Sequence, residues 1–328
     1  MYHASINYAI RCWGKMMIKH YIMIAGPTAS GKSKLAIEMA IRSDGVIINA
    51  DSMQLYKDLS VITARPSDAD MALAPHRLYG VLNGNIRASV AMWLEMAATE
   101  MREAWKAGKT PIIIGGTGMY LNAGLSGLAS IPKVPRAIHD AAVALHKDIG
   151  GAAFRQALAE CDPETAQRLF DGDTQRLIRA MGVVQATGRP ISAWQKDPHQ
   201  GAFEGIATTV KLLPDRDILY QRINDRFDMM LEAGALDEVK TLVERNLDLG
   251  LPVMKALGVR HMSAYLNGDV GKADAIRQAK QDSRHYAKRQ MTWLRNNFNA
   301  KFELNKKYSE SFFEEIFANL RNNRLTWR

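Results

Sequence analysis

Residues 26–33 read Gly26-Pro27-Thr28-Ala29-Ser30-Gly31-Lys32-Ser33, with the wholly apolar run Tyr21–Ala25 ahead of them and the helix-forming stretch Lys34–Ile41 behind. This is G-x-x-x-x-G-K-[ST] in its required setting of buried strand, loop and helix. Such a loop wraps an anion with backbone N–H groups. Its glycines permit the curvature, Lys32 adds positive charge, and the Ser33 hydroxyl is suited to Mg²⁺. The pattern specifies a polyphosphate without saying whose.

Outward from the loop, Val46–Asn49 and Pro111–Ile114 read as further buried strands, the second preceded by a helical stretch Ser89–Lys106. Strands alternating with helices predict an α/β fold, a P-loop NTPase-like parallel sheet whose ligands gather at the carboxyl ends of the strands. After Pro135 the pattern becomes helical, at Arg136–Asp148, Gly151–Glu160, Pro163–Phe170 and Thr174–Thr187, where Gly188 followed by Pro190 marks a helix end. Thr208–Leu213 then reads as a return to the sheet, and Pro214 opens a helix over Asp217–Ala233. The expected organisation is a core over 21–134 and 206–328, an all-helical insertion over 135–205, and an N-terminal extension over 1–20. That extension carries Arg11, Lys15 and Lys19 with no acid before Glu38, and is read as an upstream start ahead of Met16 or Met17.

The 328 residues suffice for about two domains, and 47% apolar content excludes disorder as the default. No apolar run reaches the roughly 18 residues of a membrane span. Forty-three basic against 34 acidic residues leave +9, which favours an anionic partner such as nucleic acid, a phosphate ester or a membrane surface. Two cysteines, Cys12 and Cys161, build neither a disulfide framework nor a cysteine zinc site, and fit a reducing cytosol. The eight histidines show no metal-ligand spacing.

An ATPase usually carries a Walker-B aspartate at the end of a later strand. Here Ile112–Ile114 ends in Gly115-Gly116-Thr117-Gly118, with no carboxylate. The acid follows the second strand instead, in Asp51-Ser52-Met53-Gln54-Leu55-Tyr56. An aspartate there suits a Mg²⁺ ligand, a general base or a helix N-cap, and chemistry alone leaves the three open.

The blocks Gly26–Ser33, Asp51–Tyr56, Thr63-Ala64-Arg65-Pro66, Pro75-His76-Arg77-Leu78, Gly115–Tyr120, Gln175–Arg179, Gly258-Val259-Arg260 and Arg289–Arg295 occur in the order seen in bacterial tRNA dimethylallyltransferases, which the chain resembles over about Ile22–Asn297. The resemblance implies transfer of a dimethylallyl group from dimethylallyl diphosphate to N6 of the adenosine 3′ of the anticodon, in tRNAs reading codons that begin with U. In that family the loop holds the diphosphate of the prenyl donor, with Mg²⁺ at Ser33. Arg226 falls on the family's diphosphate-region arginine, Asp51 on its candidate base, and Thr28 near the reacting centre. Gln54 resembles a base-reading amide, offering donor and acceptor together to an adenine edge, and Thr117 lies with the flipped nucleotide and the prenyl tail. Ser52 and Met53 belong to the same tRNA-facing block. A cytoplasmic monomer is expected.

For the RNA surface the resemblance adds Gln175, Arg176, Leu177, Ile178 and Arg179 in the insertion, and Lys255, Gly258 and Arg260 beyond it. Lys255 stands where many relatives carry arginine, which keeps the charge but not the bidentate geometry. On a helix, Arg277, Arg284, Lys288 and Arg295 fall within about 40° of one another, and Tyr286 and Trp293 point the opposite way. Arg284 and Lys288 are therefore assigned to the tRNA backbone, and the aromatic face to the core. The zinc finger of eukaryotic members is absent. Three rivals are a small-molecule kinase with ATP in the loop, a prenyltransferase acting on free adenine nucleotides, whose members generally lack the long insertion, and a noncatalytic P-loop RNA-binding protein.

Overall fold

The computed structural model describes residues 19–305 and 310–325. Of the expected N-terminal extension, 1–18 lie outside the described residues. By the packing of its backbone the chain divides into two compact units, one made of residues up to Leu125 and from Phe203 onward, the other Ser126–Ala202.

In the first unit, β1 (His20–Ala25) leads through the glycine-bearing loop into α1 (Lys32–Ser43). There follow β2 (Gly45–Asn49), α2 (Asp68–Leu73), the short β3 (His76–Arg77), α3 (Val90–Lys106), β4 (Thr110–Gly115) and α4 (Gly118–Ser126). All six strands of the sheet are parallel, in the order β3-β2-β4-β1-β5-β6, where β5 is Ile206–Leu212 and β6 is Phe302–Leu304. Every residue of β1, β2 and β4 is buried, which is why these strands read as continuous apolar runs rather than alternating ones. The order places β1 centrally, between β4 and β5, so its loop emerges at the middle of the carboxyl edge, where open α/β sheets bind ligands.

The second unit holds α5 (Arg136–Cys161), α6 (Pro163–Arg168), α7 (Thr174–Thr187) and α8 (Ile191–Gln195). The two helices expected over 136–160 are both present and abut at Gly150, whose φ of 75° and ψ of 167° break the helical backbone between them; together they are labelled α5. Gly188 closes α7 in the left-handed conformation, its N–H on Val184 O. The core is Phe154, Leu158, Leu177 and Val183 with their neighbours, all four shielded from solvent. Asp162 is also fully buried; its carboxylate accepts from Thr165 N and Ser192 N, both at 3.1 Å, and so caps α6 and ties down α8. These bonds to the charged form hold Asp162 below the ordinary carboxylate value although burial pushes the other way. The unit begins at 126 rather than 135 because the incoming and outgoing chain pair at Leu128 and Gln200, through bonds of 2.8 and 2.9 Å. It ends at 202 rather than 205 because Phe203 belongs to the first unit, where its N–H donates to Gly124 O at 2.8 Å and its ring packs on Trp93.

The C-terminal part of the first unit is helical: α9 (Arg216–Glu232), α10 (Ala235–Glu244), a 3₁₀ turn (Pro252–Lys255), α11 (Val259–Leu266), the long α12 (Lys272–Asn297) and α13 (Glu310–Leu325). No helix among the described residues is long and apolar enough to cross a membrane.

Candidate active site

The loop after β1 curls through two left-handed residues, Ala29 (φ 61°) and Gly31 (φ 91°), and delivers Lys32 and Ser33 as the first residues of α1. A side chain at Ala29 bears the steric cost of that conformation, while Gly31 does not. Lys32 donates to Pro27 O at 3.2 Å, which folds its ammonium back over the loop. Burial lowers its pKa to about 8, with Arg226 adding to the fall and Asp51 opposing it. Arg226 reaches the loop from α9, where it donates to Thr28 Oγ1; burial lowers it as well, and the charge of Asp51 again opposes. A cleft of about 380 Å³ lies between this loop and α9, lined by Ala29, Ser30, Gly31, Lys32 and Ser33 on one side and Arg222, Asp225, Arg226 and Met229 on the other.

Asp51 stands just past the end of β2. Its placement is set by Asn49, the buried polar residue at the end of an otherwise apolar strand: Asn49 Oδ1 accepts from Asp51 N at 2.8 Å, and its amide nitrogen donates to Asp51 O and Leu78 O, both at 3.0 Å. One carboxylate oxygen of Asp51 accepts from Met53 N at 3.0 Å. No helix follows Asp51, so it is not the N-cap the sequence allowed; instead one of its oxygens orders the turn at Met53. Ser52 N donates to Thr117 Oγ1 at 3.1 Å, which joins the Asp51 turn to the loop after β4.

In that loop the glycines answer close approaches. A Cβ at Gly115 would collide with the backbone of Ala50, one at Gly116 with Gln290 and Gly26 O, and one at Gly118 with the Trp293 ring. Both Gln290 and Trp293 lie on α12, so the aromatic face assigned to the core instead borders the site. Tyr286, one turn before Gln290, lies beside Thr117 and Gln290; burial raises its pKa, and the negative charge of Asp51 raises it further, while those two neighbours oppose the rise. Gln290 accepts from Thr28 N at 2.9 Å and donates to Gly116 O at 2.8 Å. Asn49, Tyr286 and Gln290 were absent from the sequence-derived site. Asn49 could have been found as a polar residue ending an apolar strand, and Gln290 lies inside the Arg289–Arg295 block, which marked the segment without giving this residue a role; Tyr286 carries no such signal.

Several expected contacts are spent elsewhere. The amide nitrogen of Gln54 donates to Thr63 O (2.8 Å) and Ala64 O (2.9 Å), so its donor face holds a loop of the chain itself and does not stand ready for an adenine edge. Leu177 and Ile178 are buried in the helical unit's core and present no side chain to RNA, whereas Gln175, Arg176 and Arg179 on the same helix are exposed. Gly258 is a buried left-handed turn pressed on Ile62 and Phe227, flanked by exposed Lys255 and Arg260. Arg284 donates to Asn224 of α9 at 2.7 Å and is only partly exposed, whereas Lys288 is exposed and borders a cleft with Arg289 and Trp293.

Among the described residues no cluster of three or more His, Cys, Asp or Glu exists that could hold a metal. Ser33 does line the anion cleft. A hydroxyl at the mouth of a phosphate site suits Mg²⁺, which retains waters and takes further oxygens from a bound phosphate rather than needing an all-protein cage.

The IPP transferase family model matches residues 54–297. The tRNA dimethylallyltransferase of Paramagnetospirillum magneticum is 48% identical over 305 residues, covering 93% of this chain and 97% of that protein. That of Methylobacterium nodulans is 49% identical over 276 residues, 84% of this chain and 91% of that protein. The crystal structure of the full-length tRNA isopentenylpyrophosphate transferase from Bacillus halodurans superposes with a TM-score of 0.66 at 31% identity, over 93% of this chain and 96% of that one. A eukaryotic dimethylallyltransferase acting on tRNA gives a TM-score of 0.72 at 28% identity, over 84% of this chain and 70% of that one. An alignment covering 93% of the chain takes in the loop at 26–33 and Asp51, both ahead of the residues that the family model matches, and on this agreement of sequence and fold the chain belongs to the IPP transferase family.

Proposed function

We propose that this protein transfers the dimethylallyl group of dimethylallyl diphosphate to N6 of the adenosine 3′ of the anticodon in tRNAs reading codons that begin with U, giving N6-dimethylallyladenosine and diphosphate. The observation that carries this reading is that the half-buried Lys32 of the phosphate loop and Arg226, reaching that loop from α9 to Thr28, share one electrostatic site with the Asp51 carboxylate. Leaving-group stabilisation and proton removal are thus available together. The strand that would bear a hydrolase's Walker-B acid ends instead in Gly115, which is pressed on Ala50.

The diphosphate occupies the cleft, with loop N–H groups, Lys32 and Arg226 around it. As the bond from N6 to C1 of the donor forms and the bond from C1 to the diphosphate oxygen breaks, negative charge grows on the leaving group. Preorganised cations in a water-poor site stabilise that charge most. The N6 proton becomes acidic in the same step and passes to Asp51. Because Thr28 Oγ1 accepts from Arg226, its own hydrogen is left to donate toward the departing oxygen. Ser33, at the mouth of the cleft, would hold a Mg²⁺ ion, which when bound would add positive charge at the leaving group.

A target base in an anticodon loop is splayed out at lower cost than one in a duplex. The exposed Gln175, Arg176 and Arg179 of the helical unit, and Lys255, Arg260 and Lys288 of the first, supply contacts to the anticodon stem-loop, with the protein acting as a cytoplasmic monomer.

The test is a mass assay of the purified chain with unmodified tRNA, Mg²⁺ and dimethylallyl diphosphate, alongside reactions with ATP as donor or AMP as acceptor. One dimethylallyl group gained on tRNA alone, mapped by digestion to the adenosine 3′ of the anticodon, is the expected result. Product on AMP would point to the free-nucleotide enzymes, and phosphate release from ATP with no prenylated product to a kinase.

A further inference from the structure

Hydrogen bonds tie the two loops of the site together through α12, at the Arg289–Arg295 block, to which no chemistry has been assigned. On the acceptor side, Ser52 N, next to Asp51, donates to Thr117 Oγ1 at 3.1 Å. The Tyr286 hydroxyl lies beside the Thr117 side chain and Gln290, close enough to affect its own ionisation. Gln290, only 6% exposed, accepts from Thr28 N at 2.9 Å and donates to Gly116 O at 2.8 Å. On the donor side, Thr28 Oγ1 accepts from Arg226. Tyr286 and Gln290 are four residues apart, so they stand on one face of α12 and meet both loops at once.

The geometry points to Gln290, with Tyr286, as the positioning pair that fixes the spacing between the diphosphate loop and the loop carrying the acceptor. This rests on the prenyl-transfer reading. The Gln290 amide meets the need at this position, because one end accepts from an N–H while the other donates to a carbonyl. Gly116 leaves room for this amide, since a Cβ there would meet Gln290 Nε2. The consequence is kinetic. Each substrate is bound largely by groups that do not belong to the bracket, but the reacting N6 and C1 must meet within a few tenths of an ångström, and a small misplacement is paid in turnover.

The experiment uses the full chain with tRNA and dimethylallyl diphosphate, comparing wild type with Gln290→Met, Gln290→Glu and Tyr286→Phe. Gln290→Met keeps length and removes both bonds. Its kcat is expected to fall roughly 10- to 100-fold while KM for the donor and Kd for tRNA stay within about threefold. Gln290→Glu keeps the acceptor for Thr28 N but sets an oxygen against Gly116 O and adds negative charge near the diphosphate, so it lowers kcat and raises the donor KM together. Tyr286→Phe keeps the ring and its packing, and is expected to lower kcat several-fold with both affinities and the melting temperature unchanged. This variant keeps the test alive if Gln290→Met fails to fold. A Tyr286→Phe and Gln290→Met pair at wild-type kcat, or losses spread equally over kcat, donor binding, tRNA binding and melting temperature, would overturn the positioning role. Absence of prenylated tRNA with the wild type would instead overturn the functional reading itself.

Discussion

At Lys32 burial and ligand binding act in opposite directions. Its folded pKa of about 8 lies below the ordinary 10.5, so between those values the unfolded chain holds a proton that the folded chain has lost. Stability therefore rises with pH across that window, and the buried charge is a cost below it. A bound diphosphate restores the proton. Donor affinity, measured by calorimetry, should accordingly weaken by up to about tenfold per pH unit above 8, and Lys32→Met should abolish that slope while weakening binding throughout. Asp51 is the second residue whose surroundings decide its test. Since one oxygen of Asp51 orders the Met53 turn, Asp51→Asn preserves the acceptor and removes the base. Turnover by the mass assay should drop roughly 10²-fold or more with tRNA affinity and melting temperature nearly unchanged. Near-normal turnover would remove Asp51 as the base.

The element that matters most is α12, whose two faces have distinct work. Along its basic stripe, Arg284 bonds Asn224 of α9, while Lys288 is exposed. The two are therefore expected to separate on mutation. Lys288→Ala should reduce the salt slope of tRNA binding by about one, the signature of one phosphate contact. Arg284→Ala should lower unfolding free energy by about 1 kcal/mol, with a smaller effect on the salt slope. An equal loss of slope from both would restore Arg284 to the RNA surface. On the other face, Trp293 packs so closely on Gly118 that Gly118→Ala must shift either the ring or the loop after β4. Turnover should fall more than stability, since Thr117 moves with that loop.

Across the whole molecule the two units rest on different physics. The first is held by three fully buried strands, whereas the helical unit depends on a small apolar cluster pinned by one buried carboxylate. Asp162→Ala leaves two buried N–H groups without a partner, and should destabilise that unit by about 2–4 kcal/mol in chemical denaturation. Because its folded pKa is depressed, the stabilisation from Asp162 is present above the ordinary 3.8 and is lost as pH falls through the folded value. Acid unfolding of Ser126–Ala202 should therefore be less steep in the variant. Much of this architecture was legible along the chain. The runs now seen as β1, β2 and β4 are continuous because both faces of a parallel sheet are covered, and α7 ends at Gly188 because only a left-handed residue without Cβ strain closes it cheaply. The two-residue β3 and three-residue β6 were not legible, since segments so short carry no period and exist only by pairing with longer neighbours.

The same division runs through the site. By itself the amino-acid sequence determined the anion loop, the acid after the second strand and the glycine cluster after the fourth, because each depends on residue types at short spacing along the backbone. Tertiary structure alone decided that Arg226 bonds Thr28 across 198 positions, that Gln290 brackets two loops from a helix 174 positions beyond Gly116, and that Gln54, Leu177, Ile178 and Gly258 serve the fold. Burial and hydrogen-bond partners of that kind arise when distant segments exclude water together, and no local pattern records which segments will meet.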